Sequence, residues 1–148
     1  MTPQNLADLH AAAFTQDRPW SAEEFAALLD SPHCHLTDAA HGFALWRAVA
    51  GEAELLTIAT HPDHRRQGVA KALMQRWMGD AQTRAGTAFL EVAADNTAAI
   101  RLYARFGFDE VARRTGYYKR AGQAVDALIL RVDLPVSSFQ KPIDSRSR

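Results

Sequence analysis

Leu55-Leu56-Thr57-Ile58-Ala59-Thr60-His61-Pro62, followed by Arg65-Arg66-Gln67-Gly68-Val69-Ala70-Lys71, is the stretch from which the fold is read. Leu55, Leu56 and Ile58 form an apolar run that predicts a strand from Glu54 to Thr60. A polar loop from His61 to Arg66 leads through Gly68 into a long helix. Its buried face is Val69, Leu73, Trp77 and Ala81, and Gly86 is its expected C-terminal stop. A helix start leaves its first four N–H groups without intrahelical partners, and the helix dipole adds partial positive charge there. Gly68 and Ala70 leave room for a phosphate to approach that backbone, and Arg65, Arg66 and Lys71 surround it with charge. The same residues also suit a solvated basic loop eased by a glycine. The spacing is neither the Walker pattern nor the dinucleotide G-x-G-x-x-G pattern.

Outward from this stretch, Thr2-Pro3 reads as an N-cap with proline at the first helical position, and Leu6, Leu9 and Ala13 share one face. Ser21 and Glu24 form a capping box, Trp20 can staple onto Phe25, and Phe25, Leu28 and Leu29 give a second helix its stripe. From Gly42 the period changes to two: Phe43, Leu45, Arg47 and Val49 alternate with Ala44, Trp46 and Ala48, and Gly51 with Glu52 makes the turn. Thr87 to Ala93 is a short apolar strand. Asp95-Asn96-Thr97 then starts a helix that ends at Gly107, and Phe108 to Arg114 with Val125 to Leu134 closes as a hairpin across Lys119 to Gln123. Residues 1–134 form a single domain in this reading, and 135–148, with little apolar material, form a flexible C-terminal tail.

Composition narrows the classes. The chain has 148 residues, 47% of them apolar, which suffices for one core. Its seventeen basic and seventeen acidic residues cancel. Bulk charge therefore supplies no nucleic-acid signal. No run approaches the roughly 20 apolar residues that span a bilayer. The single cysteine, Cys34, cannot form an internal disulfide, which fits a reducing cytosol. A cytoplasmic protein, as a monomer or weak dimer with neither membrane nor direct nucleic-acid partner, is expected. His33-Cys34-His35 and His61-x-x-His64 invite a metal, but no carboxylate–histidine helix motif accompanies them, and none is assigned.

Arg65-x-x-Gly68-x-Ala70 after Leu55 to Pro62 resembles the acetyl-CoA motif of the GNAT acetyltransferase superfamily. Leu90-Glu91-Val92, Asn96, Ile100-Arg101-Leu102-Tyr103 and Gly107-Phe108 resemble its second half, in the right order. Through Pro19-Trp20-Ser21, Arg113-Arg114, Tyr117-Tyr118 and Asp126-Ala127, the chain is further similar to the bacterial enzymes that acetylate the N-terminal alanine of a ribosomal protein. The resemblance implies an α/β fold: a central mixed sheet, splayed between the strands of Ile58 and Glu91 and flanked by about four helices. It implies that Ile58, Ala59 and Thr60 pair with the pantetheine arm of acetyl-CoA. Arg65 and Arg66, Gln67, Gly68, Val69, Ala70 and Lys71 would cradle its pyrophosphate, and Asn96 would bond the pantetheine. Glu91 would be the general base, Tyr103 the general acid, and Tyr117 and Tyr118 would lie beside the acceptor. Ala70, Ala93 and Asp95 depart from the narrower pattern, and the last two sit just past the implied base.

The chemistry is consistent with these residue types. An α-amine has a pKa near ~8 against ~10.4 for lysine, so deprotonating lysine costs roughly 3 kcal/mol more. A strand carboxylate such as Glu91, directly or through a water, suits the weaker demand. Tyr103 follows Asn96 by seven residues, so two turns put both on one helical face. A phenol with pKa near ~10 stays protonated at neutral pH and can donate to a departing sulfur. Two alternatives stay open: acetylation of a small amine such as a polyamine, amino acid or antibiotic, and a CoA-binding sensor without turnover.

Overall fold

Reciprocal side-chain caps set the first two helices. Thr2 Oγ1 accepts the Asn5 N–H, Asn5 Oδ1 accepts the Thr2 N–H, and Pro3 opens α1 (Pro3–Ala13). Ser21 and Glu24 repeat the arrangement at α2 (Ala22–Asp30), and the Trp20 and Phe25 rings lie 5.5 Å apart as a staple. The computed structural model describes residues 1–135. The expected tail, 135–148, falls outside the described residues apart from Pro135.

Six strands follow: β1 (Cys34–Ala39), β2 (Gly42–Val49), β3 (Glu52–Thr60), β4 (Thr87–Ala93), β5 (Asp109–Arg120) and β6 (Gln123–Asp133). They form one sheet in the order β1-β2-β3-β4-β6-β5, antiparallel except where β3 runs parallel to β4. A parallel neighbour needs a crossover, which α3 (Val69–Ala81) provides; α4 (Thr97–Arg105) joins β4 to β5. The mixed sheet with four helices is the expected fold class.

The sheet carries apolar side chains on both faces. Ala44, Trp46, Leu55, Leu90 and Val92 pack with Leu73 and Trp77 of α3 and Tyr103 of α4. Phe43, Leu45 and Ala59 pack on the other face with Leu6 of α1 and Phe25 of α2. Burial on both sides explains why β2 reads as an almost continuous apolar run.

Three local expectations are corrected. The β2–β3 turn is Ala50-Gly51, both at positive φ, with Val49 opposite Glu52, so Glu52 is already in the strand. Gly86 does not end α3. The helix stops at Ala81, and the Gly86 N–H donates to the Gly51 carbonyl while its own carbonyl accepts from Leu134, making it part of the sheet margin. β1 was not expected. Its side chains include His35, Thr37 and Asp38, and only Thr37 is buried, because an edge strand with a half-covered face needs no apolar alternation.

The feature that makes the site is a break in one ladder. β3 and β4 pair only from Glu52–Thr87 to Leu55–Leu90, although β3 continues to Thr60 and β4 to Ala93. At the same point β3 carries a bulge: Leu45 pairs with Thr57 but Trp46 with Leu55, leaving Leu56 as the extra residue. A bulge bends its strand and sharpens the twist, here turning β3 away from β4. It also shifts which face each side chain meets. Leu55 packs with α3, whereas Leu56 joins the α1–α2 cluster and Thr57 bonds His10 of α1. The sheet is therefore splayed where the resemblance implied.

Candidate active site

Beyond Leu55, the edge of β3 that faces β4 has no ladder partner, and Ile58, Ala59 and Thr60 lie along it. The start of α3 lies against the end of this strand because Gly42 has no side chain. A Cβ there would sit 2.7 Å from the Ala59 carbonyl oxygen and 2.9 Å from Val69 Cγ1. Among the described α-helices, α1, α2 and α4 are capped by Thr2, Ser21 and Asn96, whereas α3 begins at Gly68 without a side-chain cap. Arg66 and Gly68 adopt positive φ, 64° and 80°, to wind the loop into the helix. The first intrahelical bond is from the Ala72 N–H to the Gly68 carbonyl, so the amides of Val69, Ala70 and Lys71 precede it. An uncapped helix start beside an open strand edge fits a phosphate-bearing ligand. The loop side chains divide. Gln67 Oε1 lies 3.3 Å from His64 Nδ1, and the Arg65 guanidinium donates to the Ala13 carbonyl at the end of α1. Arg66 and Lys71 are exposed.

Asn96 has a double position. Its Oδ1 accepts the Ala99 N–H as the cap of α4, which fixes the side chain at the far lip of the opening. Two turns on, Tyr103 is 7% exposed, against Phe108 in the core shared by α3 and α4. Burial pushes its phenol well above the ordinary tyrosine range. No hydrogen bond among the described residues engages its hydroxyl, an uncommon state for a buried phenol and one suited to donation toward a ligand.

Glu91 is the first β4 residue past the last β3 pair. Leu90 and Val92 point into the α3–α4 core, so alternation directs Glu91 to the opposite face, that of α1 and α2. Its Oε2 accepts from Tyr118 Oη at 3.1 Å, and its Oε1 lies 3.9 Å from Arg114 Nη1. Burial, then the Glu91 charge, holds the Tyr118 phenol above its usual range, so it remains a donor. Tyr117 is 50% exposed under the Arg114 guanidinium and meets the Tyr118 ring edge-on.

A large bulge aims these tyrosines. Arg114 pairs with Ala127 and Tyr118 with Val125, leaving Thr115, Gly116 and Tyr117 opposite Asp126 alone. Asp126 fills the gap by accepting the Gly116 N–H and the Arg113 guanidinium. Glu91, Tyr118 and Arg114 are thus brought together on one face of the sheet, while Asn96 caps α4 and Tyr103 packs in the α3–α4 core. Sequence reasoning missed Arg120, which pairs with both Asp17 and Asp95. No local pattern connects residues so far apart along the chain.

Among the described residues no three His, Cys, Asp or Glu side chains are grouped to hold a metal. His35 stacks on Trp46 and His64 on His41. No described helix is long and apolar enough to cross a membrane.

Comparison with known proteins gives consistent results. Residues 4–108 match the model of the acetyltransferase (GNAT) family. The chain is 36% identical over 139 residues to the [ribosomal protein bS18]-alanine N-acetyltransferase of Escherichia coli K12, covering 88% of this chain and 93% of that one. A crystal structure of the Escherichia coli ribosomal-protein-S18-alanine N-acetyltransferase superposes with a TM-score of 0.79 at 30% identity, over 91% of this chain and 89% of the other. The N-alpha-acetyltransferase RimI of Mycobacterium tuberculosis is 34% identical over 88% of this chain and 85% of its own. At 20% identity, Arabidopsis thaliana NAA60 in complex with acetyl-CoA shares the fold, with a TM-score of 0.75 over 90% and 93% of the two chains.

Proposed function

The chain belongs to the GNAT family and is an N-acetyltransferase, and from that premise we propose that its acceptor is the N-terminal α-amine of a protein. A ribosomal protein beginning with alanine is the first candidate, since the Escherichia coli relative is named for that reaction. A cytoplasmic location and a monomer or weak dimer go with this reading. The observation that carries it is the opening between β3 and β4, with Glu91 and Tyr118 at one wall and the uncapped start of α3 at another.

Acetyl-CoA is the donor in this proposal and supplies an activated acetyl thioester. The open edge of Ile58, Ala59 and Thr60 would pair with its pantetheine arm. The amides from Arg66 to Lys71 would receive its pyrophosphate, and Asn96 would bond the arm from the other side. Glu91, directly or through a water, takes the proton from the acceptor ammonium. An α-amine with a pKa near ~8 yields that proton more readily than a lysine would. Tyr103 holds a proton on Oη across neutral pH and gives it, or a hydrogen bond, to the leaving sulfur. No metal enters the scheme.

Thiol release from acetyl-CoA, measured with short peptides that differ only at their first residue, tests the acceptor. Fast release with an alanine- or serine-starting peptide, abolished by blocking its N-terminus, is expected. Release with polyamines, amino acids or antibiotics alone would overturn the protein-acceptor reading. Binding of acetyl-CoA with no turnover on any amine would move the assignment to a sensor. Glu91→Gln should lower kcat by about 10²–10⁴-fold with the donor KM little changed. An unaltered pH–rate profile in this variant would remove Glu91 as base.

A further inference from the structure

Arg120 is the last residue of β5, where the chain turns back through Ala121-Gly122, both at positive φ, into β6. Its side chain is 13% exposed, although the residue lies at a hairpin tip. Nε and Nη2 donate to the two Asp17 oxygens at 3.2 and 2.7 Å, and Nη1 donates to Asp95 Oδ1. Asp17 stands in the connection between α1 and α2. Asp95 precedes Asn96 in the turn between β4 and α4. The guanidinium carbon also lies 5.1 Å from the centre of the Tyr118 ring. One planar cation therefore ties both loops flanking the opening to the tyrosine that bonds Glu91. Such a fork suits two carboxylates and an aromatic face at once, which a lysine ammonium cannot match.

We infer that Arg120 is a positioning residue: clamped by Asp17 and Asp95 and lying over the Tyr118 ring, it holds the phenol where it donates to Glu91. This rests on Glu91 being the base of the proposed reaction. The charged groups around the phenol are Glu91, Asp17, Arg114 and Arg120. Two of them, Glu91 and Arg114, would lose their fixed relation to the ring if the clamp opened. Arg120 acts through Tyr118 in this arrangement, so its effect on turnover should vanish when the Tyr118 hydroxyl is absent.

A double-mutant cycle with Arg120→Met and Tyr118→Phe tests this on whichever amine the wild type acetylates. Each single variant is expected to lower kcat about tenfold, with the KM for acetyl-CoA within about twofold. The double variant should fall no more than about twofold below Tyr118→Phe. Arg120→Lys should recover only part of the loss. Multiplying losses in the double variant, or an unchanged kcat in Arg120→Met, would overturn the inference. Asp95→Asn loosens the clamp by one partner and takes the place of Arg120→Met if that variant does not fold.

Ring-carbon NMR of labelled tyrosine gives a readout without turnover, since the chain has three tyrosines and Tyr118→Phe assigns the signal. In Arg120→Met, the Tyr118 Cζ shift at neutral pH should move toward the value seen in Glu91→Gln, because a released phenol no longer donates to the Glu91 carboxylate. An unmoved Cζ shift would overturn the clamp even if turnover fell. Acetylation of small amines alone would overturn the protein-acceptor reading while leaving the cycle readable on those amines.

Discussion

Asp126 Oδ1 accepts the Gly116 N–H at 2.9 Å, across a bulge in which three residues of β5 face one residue of β6. The carboxylate replaces the strand contacts that Thr115-Gly116-Tyr117 forgoes, and its other oxygen receives Arg113 at 3.2 Å. Tyr118 leaves this bulge to donate to Glu91. Asp126→Ala should therefore cost about 1–3 kcal/mol, from an amide left without its partner. It should also lower kcat, because Tyr118 loses its fixed start. Urea denaturation and steady-state rates check this, and Asp126→Asn, which keeps an acceptor, should retain more of both.

Tyr103 separates catalysis from stability. Its ring fills the core beside Phe108, but no described hydrogen bond uses its hydroxyl. Removing a buried hydroxyl without a partner leaves no group newly unsatisfied. Tyr103→Phe should hold the melting temperature or raise it slightly, while kcat falls about 10²-fold through loss of the donor. An equal fall in stability would show that the hydroxyl has a structural partner instead.

Gly42 should tolerate no side chain. The methyl of Gly42→Ala meets the Ala59 carbonyl and two side chains of α3, Val69 and Leu73. Backbone cannot yield as a flexible side chain would, so a loss of about 1–3 kcal/mol is expected. The displaced α3 start should raise the KM for acetyl-CoA more than it lowers kcat. Calorimetry and donor-binding titration measure the two effects separately.

His10 links stability to pH. Nδ1 accepts the Trp20 N–H, so the neutral ring carries its proton on Nε2 and donates to Thr57 Oγ1. Burial lowers its pKa to about 4, against about 6.5 for the unfolded chain. Below about pH 6.5 the unfolded state takes up a proton that the folded state refuses. Stability present above that pH is lost as pH falls toward about 4, by as much as about 3 kcal/mol. Urea midpoints across this window should show the slope, and His10→Gln should flatten it. A variant with the wild-type slope would assign the pH response to other groups.

Much of the fold is legible because its signals are local. Thr2, Ser21 and Asn96 cap the helices that follow them, Gly107 takes the positive φ that ends α4, and an almost continuous apolar run marks β2. β1 escapes because its polar side chains need only one half-covered face. Gly86 misleads because a glycine near a helix end resembles a stop, whereas here it joins the sheet margin to Gly51 and Leu134.

The order of motifs from Leu55 to Phe108 by itself determined the family, the mixed sheet and the residue types available for acetyl transfer. Side-chain periodicity and capping act over a few residues, so they survive in the bare string. The resemblance implied a splay between β3 and β4, but only the tertiary structure decided that pairing stops at Leu55–Leu90, because that depends on Leu56 being skipped by a neighbouring strand's register. It alone joined Tyr118 to Glu91, and Arg120 to Asp17 and Asp95. Those contacts span tens of residues, and the chain's local preferences carry no record of them.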